Sequence, residues 1–216
     1  MTELAIDIVS DVVCPWCFIG KRRLEAALRK LKNERPEVVP RIRWLPFFLN
    51  PDTPEAGEPY RPYLEKKFGG PGKLAQIWAQ ITEAGRTAGI EFAFERIEQR
   101  ANTLKAHRLI HRAQARGDAG ALVERLFAAQ FTEGQQVGDP AVLARLAAAC
   151  GEDEQETLAY LDSEEDAAEV RAEFMRVQQS GVTGVPFFIL AGRYGVGGAQ
   201  PPELMLEALR QSLSAA

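Results

Sequence analysis

The sequence predicts an α/β fold in which an N-terminal βαβ unit and a C-terminal ββα unit flank a large all-helical block. Three observations carry this prediction. At the N-terminus a β-branched run passes into leucines at helical spacing and then into a second, alternating run. The middle of the chain holds helical periodicities separated by proline and glycine. The C-terminus returns to two short apolar runs around a turn, followed by one amphipathic segment.

The elements follow in order. Leu4–Val9 reads as a strand and leads through Ser10-Asp11-Val12-Val13 into Cys14-Pro15-Trp16-Cys17. Leu24, Leu28 and Leu31 recur among Lys and Arg, which predicts a helix from about Pro15 to Asn33. Pro36 and Pro40 break it, and Arg41-Ile42-Arg43-Trp44-Leu45 alternates as a strand does, completing a βαβ unit of the kind that builds parallel sheet. From Phe47 to about Asp162 no strand is apparent. Helices are expected at Leu74–Gly85, Thr103–Arg116, Gly120–Thr132 and Pro140–Cys150, then around Gln155–Leu161 and Glu164–Ser180. Gly151 suits the position just past a helix end, where φ is positive. Pro186–Leu190 and Arg193–Val196 form a hairpin across Ala191-Gly192. Pro201-Pro202 then opens a helix carrying Leu204, Leu206, Leu209 and Leu213.

Composition narrows the function classes. With 46% hydrophobic and 26% charged residues, the 216-residue chain has ordinary globular balance, so a packed core is expected. A net charge of −4 offers no general field for nucleic acid. No apolar run approaches the roughly 20 residues that span a bilayer, and the N-terminus lacks a basic, then apolar, leader pattern. A cytoplasmic protein with neither membrane nor nucleic-acid partners is the expectation. Three cysteines are too few for a disulfide-stapled scaffold.

A CxxC in this setting is a redox pair, half a metal site or two structural thiols. Tetrahedral zinc needs four ligands, and beyond the pair only Cys150, His107 and His111 offer sulfur or imidazole; no metal is expected. Cys14 falls where strand gives way to helix, with Pro15 suited to the first helical position, so Cys14 is the expected N-cap. Unpaired backbone N–H groups and the positive end of the helix favour a thiolate there, which makes Cys14 the candidate nucleophile. Cys17, one turn into the helix and more buried, is the candidate resolving thiol.

Gly184-Val185-Pro186 precedes the apolar strand near the C-terminus. Together with Ser10 to Lys21, Asn102-Thr103, Ala106-His107-Arg108-Leu109, Gly184–Phe188 and Gly198-Ala199-Gln200, it resembles the DsbA-like branch of the thioredoxin superfamily, and within it the FrnE-type proteins. The similarity runs from about Leu4 to Leu213. It implies a thioredoxin-like domain of residues 1–47 and 163–216 with an inserted helical domain of residues 48–162. It also implies a cis proline at Pro186 against the cysteine pair, with Val185 offering its backbone to an extended substrate. The implied activity is thiol–disulfide exchange, with disulfide- or dithiol-containing proteins or small thiols as partners. Oxidoreductase is the better-supported word than isomerase, because no dimerisation domain is visible.

The superfamily also holds glutathione-dependent isomerases and transferases, in which serine takes the position of Cys14. A glutathione-dependent small-molecule isomerase or transferase is therefore the alternative function. The cysteine here favours disulfide exchange, needs no resident cofactor and leaves glutathione open as reductant or co-substrate. A chaperone-like module holding partners on Trp16 and Pro186 is the non-enzymatic alternative. The resemblance implies that Asn102 and His107 overlie the site as substrate-binding residues, although Asn102 or Thr103 could equally cap a helix. Trp16 is expected to be partly exposed beside Cys14. Cys150, after Leu146-Ala147-Ala148-Ala149, has the setting of a small buried apolar residue. Phe47, Phe48, Phe187 and Phe188 read as core aromatics.

Overall fold

A computed structural model describes residues 1–214. A four-stranded mixed sheet is built from β1 (Thr2–Ser10), β2 (Val38–Pro46), β5 (Phe187–Leu190) and β6 (Tyr194–Gly197), in the order β2-β1-β5-β6. β1 and β2 are parallel, joined through α1 (Pro15–Glu34), while β5 runs antiparallel to β1 and β6 antiparallel to β5. With α9 (Pro202–Ser214) closing the chain, this is a thioredoxin-like fold.

Alternation along β1 divides the core. Leu4, Ile6 and Ile8 are buried in one large cluster with Phe18, Ile19 and Leu24 of α1 and with Met205 and Leu209 of α9. Val9 turns to the opposite face, where Leu45 and Phe47 meet Val177 of α8 (Ala167–Gln179). This second face of β1 is covered only at its C-terminal end, since Glu3 and Ala5 on that face are exposed and Asp7 is half-buried. Pro36 follows the end of α1, where Arg35 N–H donates to Leu31 O at 2.7 Å.

Register positions the functional end of the sheet. Ile8 pairs with Trp44 and Ser10 with Pro46, while Ile8 and Val9 face Phe188 and Phe187 across the antiparallel ladder. Because β5 begins one residue after Pro186, this pairing delivers Val185-Pro186 to the end of β1, where the chain turns toward Cys14.

Between β2 and α8 the order is β3 (Glu58–Pro59), α2 (Tyr60–Phe68), α3 (Pro71–Arg86), a 3-10 turn (Phe94–Arg96), β4 (Gln99–Arg100), α4 (Leu104–Arg116), α5 (Gly120–Phe131), α6 (Pro140–Ala148) and α7 (Glu154–Asp162). The block is therefore helical but not all-helical: β3 and β4 pair antiparallel, Glu58 against Arg100 and Pro59 against Gln99. Two residues per strand, one of them proline, leave no alternation for sequence to reveal. α2 also lacks a sequence prediction. Pro62 sits in its first turn, where proline is tolerated, and Gly69 closes it at φ 83° with its N–H to Glu65 O. The lysine-rich Glu65–Lys67 stretch hides the periodicity. α3 starts at Pro71, earlier than the leucine pattern suggests, and α8 starts at Ala167, later than Glu164. Among the described residues no helix is long and apolar enough to cross a membrane.

Cys150 departs from its expected burial and is exposed. α6 stops at Ala148, and Gly151 at φ 96° turns the chain, which lifts Cys150 off the buried face formed by Leu143, Ala144, Leu146 and Ala147. Phe47 and Phe188 are core residues, whereas Phe48 and Phe187 are half-buried. Phe48 packs edge-on against Phe174 and His107.

Candidate functional site

The turn from β1 into α1 is organised by Asp11, which is almost fully buried. Its carbonyl accepts from Cys14 N–H at 3.0 Å, and its carboxylate accepts from Leu49 N–H at 2.9 Å, tying the turn to the loop after β2. Cys14 then occupies the N-cap with extended dihedrals, φ −98° and ψ 109°, and Pro15 takes the first helical position, where a missing N–H removes nothing. The Cys14 carbonyl accepts from Cys17 N–H at 3.0 Å, which starts the helix and sets the two thiols one turn apart.

The Cys14 side chain makes no capping bond to the helix N–H groups. This corrects the expectation that its sulfur faces them. Its Sγ instead approaches Val185 O at 3.8 Å, with the S–H as donor. The Val185–Pro186 bond is cis, and Pro186 O accepts from Gly198 N–H at 2.8 Å, which anchors the loop to the strand beyond. Cys14, Val185 and Pro186 therefore share one corner of the molecule, as the resemblance implies.

Both cysteines are free and buried. Burial pushes the Cys17 thiol well above the usual range, and the adjacent Cys14 adds to the effect through a hydrogen bond and charge. The Asp11 backbone and the Ser10 hydroxyl pull weakly the other way. Cys17 is held as a neutral thiol, and it needs a base before it can attack. Trp16 is 38% exposed beside the pair, unusual for so large an apolar ring.

A cavity of about 340 Å³ opens at Cys14 and runs between the start of α1 and the helices α2 and α3. Neither Asn102 nor His107 reaches it. Asn102 spends both ends of its amide locally: Nδ2 donates to Thr53 O at 2.7 Å, and Oδ1 accepts from Leu104 N–H at 3.1 Å, so Asn102 rather than Thr103 supplies the side chain at the start of α4. His107 is buried with Nε2 3.2 Å from Phe47 O and 3.4 Å from Asp11 Oδ1. Nε2 must carry the proton to face that carbonyl. His107 thus braces Asp11 from behind the cysteine turn. The void it lines, about 10 Å³, is too small for a substrate group. Its neighbour Arg108 is fully buried and donates to the carbonyls of Tyr160 and Glu165 at 2.7 Å and of Leu161 at 3.3 Å.

Asp11, Arg100 and Gln130 were not singled out from sequence. Asp11 had a usable signal, an acid wedged between a strand and a CxxC. Arg100 and Gln130 had none, since each becomes part of the site only through distant packing. Among the described residues no three His, Cys, Asp or Glu side chains cluster as a metal site would require.

Comparison with known proteins agrees with this architecture. A probable DsbA oxidoreductase from Streptomyces coelicolor superimposes with a TM-score of 0.88 at 33% identity, over 99% of this chain and 91% of that one. A putative protein disulfide isomerase from Nitrosomonas europaea shares the fold at 22% identity and a TM-score of 0.72, over 99% and 97%. The uncharacterised protein YwbO of Bacillus subtilis is 28% identical over 191 residues, 86% of each chain. The DSBA-like thioredoxin domain matches residues 5–210, and with nearly the whole length covered the chain belongs to that family.

Proposed function

We propose that the chain is a thiol–disulfide oxidoreductase of the FrnE type in which Cys14 attacks and Cys17 resolves. The observation that carries the reading is Cys14 at the head of α1 with its Sγ 3.8 Å from the carbonyl before cis-Pro186. That corner supplies a nucleophile and, beside it, backbone that can pair with an extended chain. The similarity to a probable DsbA oxidoreductase over almost the entire length supports the same reading.

The Cys14 thiolate attacks one sulfur of a substrate disulfide; the substrate S–S bond breaks and its first thiolate leaves with a proton from water. Cys17, once deprotonated, attacks Cys14 Sγ. The mixed disulfide breaks, the second substrate thiolate leaves, and a Cys14–Cys17 disulfide remains. Two electrons have passed from protein to substrate, and every step is reversible. Partners are disulfide- or dithiol-bearing proteins or small thiols, with Trp16 as an apolar contact.

The test is reduction of insulin by dithiothreitol, or refolding of a scrambled disulfide protein, with wild type and Cys14→Ser. Wild type should accelerate the reaction and Cys14→Ser should abolish the acceleration. Activity that survives the substitution overturns the proposal. Glutathione conjugation or isomerisation without any disulfide exchange would replace it with the glutathione-dependent reading.

A further inference from the structure

The cavity at Cys14 has the composition of a small-molecule site. At about 340 Å³ it lies in the range that holds drug-sized ligands. One wall is aromatic: Tyr60 and Trp78 stack with centroids 6.4 Å apart, and Trp78 and Phe94 at 5.4 Å, each pair within 9° of parallel. Phe92 stacks on Phe94 in turn at 4.9 Å, so the rings cover one another's faces and form a continuous apolar, aromatic wall.

The polar lining is cationic. Arg100 is 3% exposed and pairs with Glu58 through Nη2, while its Nε and Nη1 are buried without a hydrogen-bond partner. Asp52 stands 3.8 Å from Nη1, beyond hydrogen-bond reach. Buried N–H groups on a charged side chain are costly to leave unpaired. Gln130, 1% exposed, likewise leaves Oε1 without a donor. Lys67 lines the same cavity and makes no ion pair among the described residues; its Nζ donates to Asn50 Oδ1 at 3.0 Å. Among the described residues no Asp or Glu lines the cavity. Two cations, unsatisfied guanidinium donors and an aromatic wall beside a redox thiol define one ligand chemistry.

We infer that the substrate of the Cys14–Cys17 pair is a small aromatic disulfide, or the corresponding thiol, that carries a carboxylate. Its ring packs against the wall formed by Tyr60, Trp78 and Phe94, its carboxylate meets Arg100 and Lys67, and its sulfur faces Cys14. The inference rests on the oxidoreductase reading and adds the substrate class. For a disulfide ArS–SAr, Cys14 thiolate forms Cys14–S–S–Ar and releases ArS⁻. Cys17, losing its proton to solvent, then attacks Cys14 Sγ, forms the protein disulfide and releases the second ArS⁻. Dithiothreitol, a dithiol reductant, restores the pair.

The experiment compares turnover of 5,5′-dithiobis(2-nitrobenzoate), a carboxylated aryl disulfide, with neutral 4,4′-dithiodipyridine, oxidised glutathione and insulin. It is done in a Cys150→Ser background, because that exposed thiol would itself react. The ratio of carboxylated to neutral rate is normalised to that of free cysteine. Wild type should exceed free cysteine by about tenfold, the effect of one charge-assisted hydrogen bond. Arg100→Gln should return the ratio to that of free cysteine, and Lys67→Gln should lower it. Because Arg100→Gln also breaks the Glu58 pair, Ile77→Trp, at a residue that lines the cavity from α3, provides an arm that leaves that pair intact. By filling the cavity it should suppress turnover of the carboxylated aryl disulfide and spare insulin. A normalised ratio near one in wild type, or variants that leave it unchanged, overturns the inference while insulin reduction keeps the oxidoreductase reading standing. Failure of wild type with every disulfide, insulin included, overturns both.

Discussion

Gly20 lies in the second turn of α1 and is buried against the corner that holds the cis proline. A methyl group added there would sit 3.0 Å from Pro186 Cγ and 3.1 Å from Phe188 Cζ, against a comfortable carbon–carbon separation of about 3.5–4.0 Å. Neither neighbour can retreat easily. Phe188 is fully buried in the central sheet, and Pro186 is tied through its carbonyl to Gly198. Overpacking of this kind costs about 1–3 kcal/mol. Replacing glycine by alanine inside a helix contributes about 1 kcal/mol in the other direction. The net expectation for Gly20→Ala is a loss of about 1 kcal/mol, or a drop in Tm of about 2–4 °C for a chain of this size. Because the clash bears on Pro186, the Val185 carbonyl shifts relative to Cys14 Sγ, and the rate of insulin reduction should fall as well. Urea unfolding of wild type, Gly20→Ala and Gly20→Val, read at constant m, measures the stability and an insulin assay the rate. A Gly20→Ala protein as stable as wild type would show that the helix-propensity gain wins, and would refute the claim that Pro186 and Phe188 are immovable.

Two further outcomes follow from the same structure. Arg108→Met removes the donors to the Tyr160, Leu161 and Glu165 carbonyls and leaves them facing an apolar side chain; a loss of about 2–5 kcal/mol is expected in denaturant unfolding, and near-wild-type stability would contradict it. Burial, the largest influence on Cys17, persists in the mixed disulfide and keeps this thiol protonated above the ordinary range near 8.5. Rapid-quench trapping should therefore show resolution rising about tenfold per pH unit through neutral and mildly alkaline pH, following the thiolate fraction. A plateau below pH 8 is the contrary result.

How much was legible in advance differs from residue to residue. The β1–α1–β2 unit and the terminal hairpin and helix could be read directly, because period-2 and period-3.6 patterns are local and each element buries one face. Cys14 as N-cap and Pro15 as first helical residue were equally local. The β3–β4 pair was invisible because a two-residue strand has no period, and its partner lies about forty residues away. α2 was hidden behind a charged stretch and an early proline. Cys150 was misjudged since a short alanine run carries no information on where the helix releases the chain.

His107 and Asn102 show the sharper limit. Their positions in a motif could be matched, but whether a side chain faces a cavity or a neighbouring carbonyl depends on the orientation of α4 relative to β2. By itself the sequence determined the strand-to-helix CxxC and the βαβ, helical block, ββα order, because both are written in spacing along the chain. Only the tertiary structure decided that the Cys14 sulfur turns to Val185, that His107 braces Asp11, and that Arg100 and Gln130 share a cavity with Cys14. These depend on packing between segments far apart in sequence, where the free energy of a contact is set by its surroundings and leaves no local pattern to read.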